Sequence, residues 1–116
     1  MAGLLEKFCA YNKAMSEPTR VKILKVLWSS GSRPLTVSQV AETLELSQPA
    51  ATKHLQLLLQ SGLLTRTRQG PAVYYRISEQ GIKDYKRTVD VMIMGLGRVC
   101  VNHFHCESCP RQDNCC

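Results

Sequence analysis

Most of the chain carries apolar residues at every third or fourth position, and one short stretch carries them at every second. Leu4, Leu5, Phe8, Tyr11 and Met15 predict a first helix over residues 4–15. Ser16 is the expected N-cap of a second helix. Glu17 and Pro18 then fall in its first turn, where an acid suits the helix dipole and proline removes no needed donor. Val21, Ile23, Leu24, Leu27 and Trp28 give its inward stripe, and Ser29-Ser30-Gly31-Ser32 ends it. Pro34 and Leu35 predict a short extended piece. Thr36 and Gln39 have the spacing of a capping box, in which each side chain satisfies the other residue's free backbone N–H. Val37, Val40, Ala41 and Leu44 stripe the third helix that follows. After a turn at Glu45-Leu46, Ser47 caps a fourth helix with Pro49 in its first turn. Ala51, Leu55, Leu58 and Leu59 face inward, and Gly62 supplies the left-handed terminus. Residues 63–68 and 72–77 read as two strands around a Gln69-Gly70-Pro71 tip. Ser78 caps a long last helix striped by Ile82, Tyr85, Val89, Met92, Ile93, Leu96 and Val99, fading after Asn102. Gly95 and Gly97 each weaken it by roughly 1 kcal/mol relative to alanine, so it is expected to need a packing partner.

This order predicts a mainly α fold with a small β-hairpin wing: a winged helix-turn-helix with four helices, two strands and a fifth helix. Residues 1–102 form the DNA-binding and dimerisation domain, and residues 103–116 a cysteine-rich tail. The outward face of the fourth helix offers Gln48, Thr52, Lys53 and Gln56, with His54 on its flank. In a major groove, glutamine pairs bidentately with adenine, threonine bonds bases or touches the thymine methyl, and lysine reaches guanine or phosphate. Arg66 and Arg68 on the wing suit backbone or minor-groove contacts. Singly, each is an ordinary solvated polar side chain. Together with a helix-turn-helix they predict double-stranded DNA as the partner.

Composition supports that choice. Fifteen Lys and Arg against nine Asp and Glu leave a formal charge of +6, which favours a polyanion. Glu6 and Lys7 interrupt any leading apolar run, and no stretch approaches the roughly 18 apolar residues of a membrane span. A cytoplasmic chain without a membrane partner is expected, with reduced thiols. No phosphate-binding glycine loop is present, Gly95-x-Gly97 lies inside a helix, and no histidine pairs with a carboxylate in a catalytic motif, so an enzyme is not expected.

The stretch SQPAATKHLQLLLQSGLL (47–64) resembles the recognition-helix motif of the ArsR/SmtB family of winged-helix repressors. EPTRVKILKVL (17–27) resembles that family's second helix, and VYYRIS (73–78) its second wing strand. The resemblance implies a homodimer built from the first and last helices. It also implies that the dimer sits on a palindromic operator and leaves when an inducer binds. By motif position it makes Ser47, Gln48, Thr52, Lys53 and His54 DNA contacts. The apolar stripes of the first and last helices point to a dimer independently, because Phe8 and Leu96 are poorly explained in a lone domain.

Five of the six cysteines lie in the last 17 residues. One family pattern, E-L-C-V-C-D-L on the third helix, is replaced here by Pro-Leu-Thr-Val-Ser-Gln-Val. A second, D-x-H-x10-H-x2-(H/E), aligns with Asp90, Met92, His103 and Cys106, so two of its zinc ligands are changed. A third clusters cysteines at the end of the last helix, and some members with it respond to trivalent arsenic. Cys100, Cys106 and Cys109 match it, and three soft thiolates suffice for a trigonal As(III) centre. Cys9, His103, His105, Cys115 and Cys116 are further candidate ligands, although a single cysteine on a helix is more often plain core. Alternatives are another thiophilic ion such as Cd, Pb or Zn, an iron–sulfur cluster, thiol redox sensing, or structural zinc in a constitutive DNA-binding module.

Overall fold

Four of the five described helices begin where a side-chain oxygen accepts from a free backbone N–H. The computed structural model describes residues 3–31, 33–97, 103–105 and 108. In it, α1 spans Leu4–Met15, α2 Pro18–Ser29, α3 Val37–Leu44, α4 Gln48–Gln60 and α5 Glu79–Leu96. The strands are β1 (Leu35–Thr36), β2 (Leu64–Gln69) and β3 (Ala72–Ile77). Thr36 and Gln39 form the expected capping box on α3, at 3.2 and 2.9 Å. Ser47 accepts from the Ala50 N–H at 3.3 Å, and Ser78 from the Gly81 N–H at 3.0 Å.

One cap differs from expectation. Glu17, not Ser16, caps α2, its carboxylate accepting from the Arg20 N–H at 3.1 Å. Ser16 instead closes α1, with its hydroxyl donating to the Lys13 carbonyl at 2.8 Å. The extended piece at Leu35 is a true strand. It pairs antiparallel with β3 (Leu35↔Tyr75, Thr36↔Tyr74), which makes the hairpin a three-stranded sheet of order β1-β3-β2. The β2–β3 register runs from Leu64↔Ile77 to Gln69↔Ala72, leaving Gly70-Pro71 as the connection, with Gly70 at φ 61°.

Ile23, Leu27, Val40, Leu55, Leu58 and Leu63 are fully buried. They join α2, α3 and α4 into one core, closed by Tyr11 and Ala14 of α1 and Tyr75 of β3. Val21 and Trp28 were expected in that core but are 42% and 56% exposed. Ile23, Leu24 and Leu27 set the inward direction of α2, and Val21 and Trp28 lie about a quarter turn away from it. On α5, Thr88, Met92 and Gly95 are buried. Ile93, Met94 and Leu96 are 57%, 71% and 68% exposed, so the end of the predicted stripe faces away from the core. Val99 lies outside the described residues.

Two features place α5. Gly81 lies so close to the α4–β2 turn that an added Cβ would fall 1.9 Å from the Gly62 carbonyl oxygen. Gly62 itself has φ 86°, the left-handed conformation expected for it. Farther along, Asp84 faces α1. Lys7 Nζ lies 3.0 and 2.8 Å from its two carboxylate oxygens, the Tyr11 hydroxyl donates to it, and Arg87 approaches at 3.3 Å. The Tyr11 and Tyr85 rings pack with centroids 5.2 Å apart, tilted at 56°. Among the described residues no helix is long and apolar enough to cross a membrane.

Candidate nucleic-acid interface

The capping box starts α3, and Glu45 ends it in a left-handed conformation (φ 55°), turning the chain sharply. The Leu46 N–H returns to the Ala41 carbonyl at 2.9 Å, and Ser47 then starts α4. Ala51, Leu55 and Leu58 bury one face of α4 against the core, which turns the opposite face outward. Lys53 and Gln56 are exposed there, Thr52 is half-buried at the edge, and Gln48 is exposed at the N-terminus of the helix. Ser47 is exposed, but its hydroxyl is engaged in capping.

His54 stands apart from these residues. It is half-buried against the start of α2, with Nδ1 3.4 Å from Arg20 Nη1 and 3.8 Å from Glu17 Oε2. Arg20 also donates to the Ala14 and Lys13 carbonyls at 2.6 and 3.1 Å, so it closes the end of α1 while touching α4. Desolvation pushes the Glu17 carboxyl up, but hydrogen bonds from the Thr19 and Arg20 backbone N–H groups outweigh it and hold the group below its ordinary value.

Arg66 and Arg68 project from β2, both exposed; the Arg68 Nε donates to the Gly70 carbonyl at 3.3 Å. Arg76, on the neighbouring strand, is also exposed and was not singled out from the sequence, although it pairs with Thr65 in the register. A second contact was also invisible there: Gln48 Nε2 donates to the Ser38 hydroxyl of α3 at 2.7 Å.

The candidate metal ligands Cys100, Cys106, Cys109, Cys115 and Cys116 lie outside the described residues. His103 and His105 are exposed. Cys9 is an exposed free thiol on α1 rather than the core residue its position suggested. Among the described residues, no group of three or more His, Cys, Asp and Glu is placed to hold a metal ion.

A polar helix presented by a tight helix-turn-helix and flanked by a basic hairpin defines a winged-helix DNA-binding protein. A helix-turn-helix domain family matches residues 15–67. An uncharacterized HTH-type transcriptional regulator from Methanocaldococcus jannaschii is 32% identical over 85 residues, 73% of this chain and 93% of that one. The cadmium resistance regulatory protein CadC homolog of Staphylococcus aureus is 39% identical over 61% of this chain and 57% of its own. The arsenical resistance operon repressor of Escherichia coli is also 39% identical, over 57% of this chain and 55% of its own. Among solved structures, a homodimeric winged helix-turn-helix domain from Mycobacterium bovis, a possible ArsR-family regulator, superposes with a TM-score of 0.63. It is 27% identical and the match covers 76% of this chain and 80% of that one. The chain belongs to the ArsR/SmtB family of winged-helix transcriptional regulators. It is a DNA-binding regulator and not an enzyme.

Proposed function

We propose that two copies of this chain bind a palindromic duplex operator as a repressor and release it when a thiophilic metalloid, As(III), binds the C-terminal cysteines. The observation that carries the DNA half is the outward polar face of α4 beside the arginine-bearing wing. In this reading Gln48, Thr52, Lys53 and Gln56 enter the major groove. Ser47 and the N-terminus of α4 lie near a phosphate, and Arg66 and Arg68 track the backbone or minor groove. His54 acts from the flank, through the start of α2.

The dimer half rests on the exposed Ile93, Met94 and Leu96 at the end of α5, with exposed Leu5 on α1. A run of apolar side chains this large is seldom left in water. The inducer half rests on donor chemistry. Cys100, Cys106 and Cys109 supply three soft thiolates, which select As(III) over hard ions. Arsenous acid and three thiols give a trithiolate and three waters, with no change of oxidation state. Binding at the tail that follows α5 in the chain then biases the spacing of the two recognition helices, which must match half-sites about one helical turn apart.

Cadmium is the second reading, because the cadmium and arsenical regulators match this chain at the same 39% identity. Mobility shifts of an operator duplex with arsenite and with cadmium separate the two. Arsenite is expected to release the wild type and not the Cys100→Ser/Cys106→Ser/Cys109→Ser variant. Release of that variant by arsenite overturns the assignment of the site. Release of the wild type by cadmium alone favours the second reading.

A further inference from the structure

Thr36 and Ser38 stand where one family pattern has its paired cysteines, and both hydroxyls have other partners. Thr36 caps α3. Ser38 accepts from Gln48 Nε2 at 2.7 Å, across the turn of the helix-turn-helix. Ser38 is exposed and Thr36 is half-buried. Gln48 is the first residue of α4, and a glutamine there has three side-chain torsions to immobilise before it can recognise a base.

We infer that Ser38 is a positioning residue for sequence reading: it holds the Gln48 carboxamide in the orientation that pairs with an adenine edge. A primary amide has two N–H donors and a carbonyl acceptor. With one N–H held by Ser38, the other N–H and Oε1 remain. Those are the two groups needed to donate to adenine N7 and accept from adenine N6. The hydrogen bond therefore replaces rotamer freedom with a fixed fork before DNA arrives, and the entropy of ordering is not paid again on binding. This inference rests on the reading of α4 as the recognition helix.

A duplex selected from a random library by the full-length protein supplies the probe. Its adenines are replaced one at a time by 7-deazaadenine, which lacks N7. Wild type is expected to lose about 5- to 100-fold affinity at one adenine in each half-site, the discrimination of a bidentate contact. Gln48→Ala should abolish that difference. Ser38→Ala should reduce it several-fold at the same adenine, with helix content, thermal midpoint and affinity for non-specific duplex unchanged. Ser38→Thr, which keeps the hydroxyl, should restore it. In the Gln48→Ala background, Ser38→Ala should have no further effect. A Ser38→Ala protein that discriminates like wild type, or one whose loss persists in the Gln48→Ala background, overturns the positioning role. A wild type with no sequence preference at all overturns the DNA reading itself, and this inference with it.

Discussion

Asp84 is the residue on which the α1–α5 contact turns. Its carboxylate gathers Lys7, the Tyr11 hydroxyl and Arg87 from two helices. Hydrogen bonds from Lys7 and Tyr11 hold it below its ordinary value of 3.8 despite partial burial. Burial, and then the Asp84 carboxylate beside it, push Tyr11 from 10.0 up to about 12. The signs of the two shifts differ. Asp84 adds stability that is present above pH 3.8 and is lost as pH falls through its lower folded value. Tyr11 adds stability that is present below pH 10 and is lost as pH rises through about 12. Asp84→Asn should lower stability at neutral pH by about 1.5–3 kcal/mol, the worth of hydrogen bonds to a charged group. It should also flatten the acid limb and make the alkaline loss smaller, because part of the raise on Tyr11 comes from the Asp84 charge. Thermal midpoints of wild type and variant from acid to alkaline pH check this; an unchanged acid limb would contradict it. None of this cluster was legible beforehand. Lys7 and Asp84 are 77 positions apart, and each looks like a solvated charge until the fold brings α1 onto α5.

The elements themselves were legible where their signals are local. The Thr36–Gln39 box, the Ser47 and Ser78 caps and the Gly62 terminus are each complete within a few residues, so the pattern contains the physics. The misread cap shows the limit: Ser16 and Glu17 are adjacent, both can cap, and only the path of α1 decides which helix each serves. Val21 and Trp28 show another, because apolar residues at the edge of a stripe are not assigned a side by spacing alone. β1 has two residues and no periodicity to read; its partner on β3 makes it a strand. Gly81 carried no signal as a solitary glycine in a helix, yet it is where α5 touches the α4–β2 turn. A backbone carbonyl cannot yield like a side chain, so Gly81→Ala should destabilise by about 1–3 kcal/mol or more, although alanine is the better helix former. Thr36→Ala should cost about 1 kcal/mol through loss of the cap. Denaturant unfolding of the two variants tests that order, and a Gly81→Ala protein more stable than wild type would refute the close approach.

At the scale of the molecule, one side of α4 is fastened to the core and the other is left polar, while α5 carries exposed apolar residues at its end. The polar face of α4 and the apolar end of α5 are thus separate surfaces. α5 joins them through Gly81, against the turn that follows α4, and through Asp84, against α1. The cysteines that would sense an inducer lie outside the described residues. What their chemistry selects is an inference from the donor set. What the fold presents to DNA is a geometry. A salt titration tests that geometry. Affinity of the full-length protein for its selected duplex is measured from about 50 to about 200 mM salt, for wild type and for Lys53→Ala/Arg66→Ala/Arg68→Ala. Log K is expected to fall linearly with log salt, and the variant's slope to be shallower by about one for each cation that meets a phosphate. A flat response in wild type, or an unchanged slope in the variant, would contradict it.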